Sequence, residues 1–204
     1  KVSDSRTDNP MQQVFLEAAQ QAGFSVNPDF NGARQEGVGI YQVTQQDGER
    51  CSAARAYLQP YLQRPNLCVI TGAHAQRILI DDKRASGVEY RHAGAVNTVA
   101  ARTEVILSAG VFQSPQLLML SGIGDSAELR SLGIDVVQHL PGVGHNLQDH
   151  LDYTLIWRAN SLDLMGGSPR GIVRLLREIG RYRRTRRGML CTNVAECGGF
   201  LKTD

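Results

Sequence analysis

The sequence has no apolar run of 18 or more residues, which is the length that a membrane-spanning helix requires. It also has no apolar segment after Lys1, where a secretory signal would place one. Internal repeats and low-complexity tracts are absent as well. With 204 residues, 42% hydrophobic and 21% charged, the composition is typical of a globular protein of one large or two smaller domains, and we expect it to be cytoplasmic.

The four cysteines contain no Cys-x-x-Cys pair, the spacing typical of zinc sites and thioredoxin-like redox sites. They are widely separated, at Cys51, Cys68, Cys191 and Cys197. We therefore expect reduced thiols and no metal site.

Acidic side chains are nearly absent from one stretch near the C-terminus. Residues 170–187 contain Glu178 and eight arginines, namely Arg170, Arg174, Arg177, Arg181, Arg183, Arg184, Arg186 and Arg187. The whole chain has a net charge of +2, so the remainder carries −5 and the basic character is local. Apolar residues recur at helical spacing in this stretch (Ile172, Leu175, Leu176 and Ile179), which predicts an amphipathic helix.

Such a basic helix has three interpretations. It is by default a solvated helix face, and its alternatives are contact with anionic lipid head groups or with nucleic-acid phosphates. Tyr182 is the only aromatic residue in the helix, which gives base stacking little support and argues against nucleic acid. A non-enzymatic binding module that uses 170–187 is one alternative function, and peripheral contact at the inner face of a membrane is another expectation.

Turn residues and hydrophobic periodicity divide the chain into helices and strands. The predicted helices cover 10–22, 52–59, 114–120, 125–132 and the arginine-rich segment. The predicted strands cover 41–44, 67–71, 77–80, 87–91, 96–101, 103–107, 134–137 and 151–158. Glycine-containing turns are predicted at 29–32 and 36–39, and a hairpin turn at 46–48.

The most informative stretch runs from Ser108-Ala-Gly110 to Ser121-Gly-Ile-Gly124, where small residues follow a predicted strand. Small residues at such a point let a ligand or another backbone approach closely. Gly122 to Ala127 also fits the dinucleotide pattern G-x-G-x-x-A, so an NAD-dependent dehydrogenase is an alternative. Ser114-Pro115 argues against it, because proline there predicts a helix before Gly122 and the pattern needs a strand.

A dense polar cluster, Asn146-Leu-Gln-Asp-His150, follows the glycine-containing stretch Pro141-Gly-Val-Gly144. Asp149 and His150 form a candidate acid–base pair. Adjacent residues of an extended segment point to opposite sides, however, so the favoured interpretation is a loop whose side chains bind nearby backbone groups.

Several of these stretches, in this order, resemble the glucose–methanol–choline (GMC) oxidoreductases, and choline dehydrogenase-like bacterial enzymes most of all. The resemblance covers nearly the whole chain and is most specific from 50 to 152. The matching stretches are Arg50-Cys-Ser-Ala-Ala-Arg-Ala-Tyr-Leu58, the segment from Asn66 to Ile78, Ser108 to Gly124, Pro141 to His150, and Arg187 to Phe200. Val111 departs from the family, which usually has a small residue at that position.

This resemblance implies FAD as cofactor and alcohols, choline or another primary alcohol, as substrates. Ala75 would meet the adenine through its backbone, and Ser108, Ala109 and Gly110 would pass close to the dinucleotide. Asp152 lies near the position where choline-oxidising relatives place a carboxylate that faces the substrate ammonium. Proton-handling residues of the family lie in a C-terminal segment that has no counterpart here, so no catalytic residue is assigned in this chain, and Glu196 receives no site role.

The implied fold is α/β: part of an FAD-binding α/β domain interleaved with part of a mixed-sheet substrate domain. Residues 1–48 would belong to the substrate side, 49–150 to the middle of the FAD domain and 151–204 to the substrate side again. The chain is thus expected to be an internal fragment that is inactive alone. The resemblance leaves open the exact alcohol, the electron acceptor (oxygen or another) and the oligomeric state.

Overall fold

A computed structural model describes residues 1–157, 159, 161 and 168–202. The α-helices are α1 (Met11–Gln21), α2 (Gln113–Leu120), α3 (Ser126–Ser131) and α4 (Pro169–Thr185). The strands are β1 (Gly37–Ile40), β2 (Gln45–Gln46), β3 (Glu49–Arg50), β4 (His74–Asp81), β5 (Arg84–His92), β6 (Ala95–Ala100), β7 (Ile123–Gly124), β8 (Gln138–His139) and β9 (Cys197–Phe200). The mixed α/β character predicted from the sequence is confirmed.

The chain divides into two compact units. One consists of Lys1–Leu67 together with Leu155–Asp204, and the other consists of Cys68–Thr154. The polypeptide therefore leaves the first unit and later returns to it. The assignment of 1–48, 49–150 and 151–204 to substrate and flavin domains stays a prediction.

In the first unit, β1 and β9 pair antiparallel although they are distant in sequence. Val38 lies opposite Gly199 and Ile40 opposite Cys197. Glycine is required in β1, since a Cβ on Gly39 would lie 2.2 Å from the Asn27 backbone oxygen. The turn predicted at 36–39 is therefore wrong, because this glycine-containing segment is a strand that pairs closely with its neighbours.

The hairpin turn predicted at 46–48 is confirmed. Asp47 and Gly48 connect β2 to β3 with φ values of +53° and +73°, which matches the turn type that favours Asp-Gly. The strand predicted at 41–44 is displaced: only Val43 makes a bridge, to Ser3, and pairing resumes at β2.

The second predicted helix is present in an altered form. The Ser52 hydroxyl accepts a 3.2 Å hydrogen bond from the Arg55 backbone N–H, as a cap should. The chain then forms a π-helical turn over Ala54–Leu58 and a 3₁₀ turn over Gln59–Tyr61. Pro60 has no backbone N–H and so cannot continue an α-helical hydrogen-bond ladder.

The second unit is built on an antiparallel meander, in the order β4-β5-β6. Its strands are connected by turns at Asp82-Lys83 and Ala93-Gly94. Helix α2 packs against β4, where the buried Ser121 hydroxyl accepts a 2.8 Å hydrogen bond from the Ile78 N–H. Ile78, Leu117 and the fully enclosed Leu129 are the buried hydrophobic residues of this unit.

Three strands predicted in this unit are wrong. The segments 67–71 and 103–107 form no strand, and the pairing predicted at 134–137 occurs instead at β8, parallel to β7. A strand needs a hydrogen-bonded neighbour, and neither 67–71 nor 103–107 has one in the described part of the chain. Residues 151–157 are likewise not in a strand, and Arg158, the last residue of that prediction, lies outside the described residues.

Candidate functional site

The turn formed by Ser108, Ala109 and Gly110 leads directly into α2. Gly110 has a φ of +93°, a conformation that glycine adopts without strain. The Ser114 hydroxyl accepts a 3.0 Å hydrogen bond from the Ala109 N–H, and the Ser114 N–H donates a 2.9 Å bond to the Gly110 carbonyl. Two reciprocal hydrogen bonds thus fix the turn at the beginning of the helix.

The outer side of this turn is open. All three residues are exposed, and a Cβ on Gly110 would meet only Gln113 Oε1, at 3.5 Å. Residues 105–113 contain no charged side chain. The turn therefore fits the close approach of an uncharged part of a ligand, and it offers no positive charge to a pyrophosphate.

Ala75 lies in β4 beside an irregularity of the sheet. It pairs with Tyr90, and the next pair is Arg77 with Glu89, so Gln76 is an extra residue without a partner in the register. Such β-bulges bend the strand and often occur beside active sites. No hydrogen bond or ion pair among the described residues links Ala75 to the Ser108–Gly110 turn, so the two predicted contacts remain separate features of one unit.

A groove of about 710 Å³ lies along α2. Phe112, Met119 and Leu132 supply apolar walls, and the loop at 144–148 contributes His145 and Asn146 to the rim. The sequence pattern singled out this loop and the helix separately but not the groove between them. The apolar residues of α2 could have indicated the groove, because Phe112 and Met119 are seven positions apart and therefore lie on the same helix face.

Asp149 and His150 do not act as an acid–base pair in this structure. Both are exposed, and the Asp149 carboxylate accepts a 2.8 Å hydrogen bond from the His150 backbone N–H. The loop interpretation made from the sequence is confirmed.

Asp152 is exposed in the extended segment that follows. Among the described residues none donates a hydrogen bond to its carboxylate or forms an ion pair with it. It lies in the second unit and has no contact with the Ser108–Gly110 turn through a hydrogen bond or ion pair.

The helix cap at Asp125 has a perturbed carboxylate. Its Oδ1 accepts hydrogen bonds from the Ala127 and Glu128 N–H groups, at 2.9 and 3.0 Å. The bond from Glu128 lowers the pKa of Asp125 most, burial opposes it, and the nearby His139 and His145 lower it further. This confirms the predicted helix start and assigns Asp125 a structural role.

The dinucleotide pattern from Gly122 to Ala127 lacks the geometry of an NAD site. It follows helix α2 rather than a strand, contrary to the strand–turn–helix arrangement that the motif needs. A Cβ on Gly122 would lie 2.4 Å from the Asp135 carbonyl oxygen and 2.8 Å from Val137 Cγ2. Close packing against 135–137 therefore explains this glycine, and the NAD alternative is not supported.

Glu196 is a buried carboxylate that the sequence reasoning left without a role. It lies in the first unit, with 8% of its surface exposed. Its Oε2 accepts hydrogen bonds from Asn9 Nδ2 at 3.0 Å and Gln12 Nε2 at 3.2 Å. Among the described residues, no group of three or more His, Cys, Asp or Glu side chains could hold a metal ion.

Comparison with known proteins gives one consistent answer. The family model of the GMC oxidoreductases matches residues 1–152. The chain belongs to the GMC oxidoreductase family. An alcohol dehydrogenase [acceptor] from Pseudomonas putida is 50% identical over 99% of this chain and 37% of that protein. An oxygen-dependent choline dehydrogenase from Sinorhizobium fredii is 51% identical over 71% of this chain and 26% of that protein.

A solved structure supports the same conclusion. A formate oxidase from Aspergillus oryzae superposes with a TM-score of 0.82 and 27% identity, covering 99% of this chain and 36% of the oxidase. The chain thus spans between about a quarter and just over a third of the length of these GMC relatives. The resemblance inferred from the sequence motifs is confirmed.

Proposed function

We propose that this chain forms part of an FAD-dependent oxidoreductase that oxidises the CH–OH group of an alcohol to an aldehyde. The observation that carries the proposal is the 50% identity to an alcohol dehydrogenase [acceptor] over 99% of the chain. Membership in the GMC family over residues 1–152 supports the same reaction class.

The open turn at Ser108, Ala109 and Gly110 supports FAD as the cofactor. FAD would supply the acceptor for the hydride at its flavin N5. The small, uncharged residues of the turn would let the dinucleotide pass close to the backbone. The backbone of Ala75, next to the β4 bulge, would meet the adenine. The turn carries no charged side chain that would neutralise the pyrophosphate, and we propose that the 204-residue chain alone binds FAD weakly.

The substrate is proposed to be a primary alcohol, with choline as the more specific candidate. Asp152 would face the substrate ammonium, since a quaternary cation needs a negative charge or an aromatic cage. The exposed position of Asp152, without an ion-pair partner among the described residues, supports this role. Choline dehydrogenases among the similar proteins also support it.

No residue of this chain is proposed as the catalytic base. The Asp149 carboxylate accepts a hydrogen bond from the His150 backbone N–H, and among the described residues no carboxylate forms a hydrogen bond with the His150 ring. We therefore expect no turnover of any alcohol by the purified 204-residue chain, and measurable turnover would contradict this part of the proposal.

The test is an absorption spectrum of the intact protein, recorded before and after anaerobic addition of choline or simple primary alcohols. A flavin spectrum that one of these alcohols bleaches supports the proposal and assigns the substrate class. A colourless protein that FAD does not reconstitute overturns it.

The role of Asp152 is tested with the variant Asp152→Asn and two substrates. The variant should raise KM for choline and leave KM for a neutral primary alcohol unchanged, because only choline carries a charge. An equal effect on both substrates would contradict a charge-recognising role.

A further inference from the structure

Helix α4 is attached to the first unit through polar side chains. Tyr182 Oη donates a 3.1 Å hydrogen bond to the Gly48 carbonyl, and Glu178 accepts one of the same length from the Met189 N–H. Arg181 forms ion pairs with Asp8 and with Glu178. These contacts hold the polar side of the helix against its neighbours.

The opposite side of the helix exposes its apolar residues. Ile172, Val173 and Leu176 are 54%, 49% and 62% exposed, and no residue of α4 is buried. At spacings of three and four positions they form one contiguous patch. An amphipathic helix of a globular protein ordinarily turns this face toward the core. In this chain, which spans about a third of the length of its relatives, the apolar face of α4 is exposed.

A row of arginines runs beside the apolar patch. Arg170, Arg177 and Arg184 are spaced seven residues apart, which places them along one line of the helix, and all three are exposed. None of them forms an ion pair with another described residue. A shallow groove of about 500 Å³, between Val173 and the arginines of the first two turns, joins the row to the patch. The surface thus combines exposed apolar area with three arginines that have no ion-pair partner among the residues that the structure describes.

This combination suits the interface of a lipid membrane better than a nucleic acid. The negative charges of lipid phosphates complement the positive charges of the arginines. The boundary between the head groups and the acyl chains can take up the apolar side chains of Ile172, Val173 and Leu176. Base stacking would need a free aromatic ring, and Tyr182, the one aromatic of α4, is half-buried and bonded to Gly48. Among the described residues no helix is both long and apolar enough to cross a membrane, so contact would be at the surface.

We propose that α4 docks the intact protein onto membranes that contain anionic lipids. Arg170, Arg177 and Arg184 bind lipid phosphates while Ile172, Val173 and Leu176 insert among the head groups. This interaction is independent of the oxidation chemistry proposed above, because it uses none of the residues assigned to cofactor or substrate.

The test is cosedimentation of the intact protein with vesicles of phosphatidylcholine, alone or with about a third phosphatidylglycerol. We expect binding to the anionic vesicles only, reduced by added salt. The triple variant Arg170→Gln, Arg177→Gln, Arg184→Gln should bind on the order of a hundredfold more weakly, at about fivefold per arginine. The double variant Ile172→Ser, Leu176→Ser should bind about tenfold more weakly.

A charge-matched control variant carries three substitutions at exposed arginines outside α4, namely Arg91→Gln, Arg102→Gln and Arg130→Gln. This variant should bind the anionic vesicles as tightly as the wild type does. Equal loss in the control and α4 triple variants would overturn the proposal, as would failure of the wild type to bind anionic vesicles. Unchanged binding by the double variant would exclude insertion. Equally tight binding to double-stranded DNA would contradict lipid recognition and would show that α4 binds any polyanion.

Discussion

Asn9 Nδ2 donates a 3.0 Å hydrogen bond to Oε2 of Glu196, which joins the start of α1 to the residue just before β9. Gln12 donates a second bond to the same oxygen, and Glu196 is nearly enclosed. The Glu196 backbone carbonyl also accepts a 2.9 Å bond from the Tyr41 N–H. One buried residue therefore connects α1, through its side chain, to the strand pair β1–β9, through its backbone.

Replacing Glu196 with alanine should lower the free energy of unfolding by about 1–3 kcal/mol, because the Asn9 and Gln12 amides lose their acceptor. Urea denaturation of the intact protein measures this change. Glu196→Gln is the matched control: it keeps an oxygen acceptor and should recover most of the stability. If the glutamine variant were as unstable as the alanine variant, the negative charge itself would be the essential feature.

Leu129 offers a test of packing in the second unit. Its side chain is completely buried, and truncation to alanine should cost about 2–5 kcal/mol of unfolding free energy through lost burial and a residual cavity. Leu132 is close in sequence and 62% exposed, so Leu132→Ala should change stability much less. Thermal denaturation of the two variants compares their losses of stability. Equal losses would contradict the burial of Leu129 in the core of this unit.

The carboxylate of Glu49 should make stability depend on pH. Arg55 and Arg186 lie 2.6 and 2.9 Å from its two oxygens. The hydrogen bond from Arg55 and the charge of Arg186 lower the pKa of Glu49 below its usual 4.5. A lowered pKa stabilises the folded state above the unfolded pKa, and this stabilisation is lost as pH falls through the folded pKa.

Glu49→Gln should therefore lower Tm at about pH 7, and the difference from wild type should shrink as the pH falls below 4.5. Denaturation scans over a pH series measure it. The variant Glu104→Gln, at an exposed position, serves as control and should follow the wild type throughout. A difference that is constant with pH would show that the ion pairs are not its source.

Gly110→Ala should reduce the flavin content of the intact protein, because a methyl group would narrow the open side of the turn and its φ of +93° disfavours alanine. Gly94→Ala is the matched control. Gly94 has a φ of +82° in the β5–β6 turn, and its Cβ would meet nothing within 4 Å, whereas a Cβ on Gly110 would meet only Gln113 Oε1 at 3.5 Å. The two variants share the backbone strain, so the ratio of flavin to protein absorbance isolates the effect on the cofactor. Equal flavin content in the two variants would show that Gly110 does not contribute to the proposed cofactor site.

Features that depend on neighbouring residues were predictable from the sequence. The helices predicted at 10–22, 114–120 and 125–132 begin within one residue of the observed starts of α1, α2 and α3. The arginine-rich segment forms α4 as its periodicity indicated. In each case the capping or periodic residues determine the backbone within one or two turns.

Features that depend on distant partners were not predictable. Gly37 and Gly39 are typical of a turn. The strand that pairs with β1, Cys197–Phe200, lies too far along the chain for a local sequence pattern to indicate it. Conversely, 67–71 and 103–107 have the composition of strands but no hydrogen-bonded neighbour in the described part of the chain. The candidate cofactor residues came from the family resemblance, because an uncharged turn such as Ser108–Gly110 carries no chemical signal of its own.

The pairing of Ile40 with Cys197 also sets an order of events at the ribosome. At a synthesis rate of about 5–20 residues per second, β1 emerges about 10–30 s before its partner exists. The continuous second unit, Cys68–Thr154, is completed within this interval. During that time the edge of β1 that will face β9 is unpaired in the nascent chain, so Gly37–Ile40 needs protection from other strands until Cys197–Phe200 has been made.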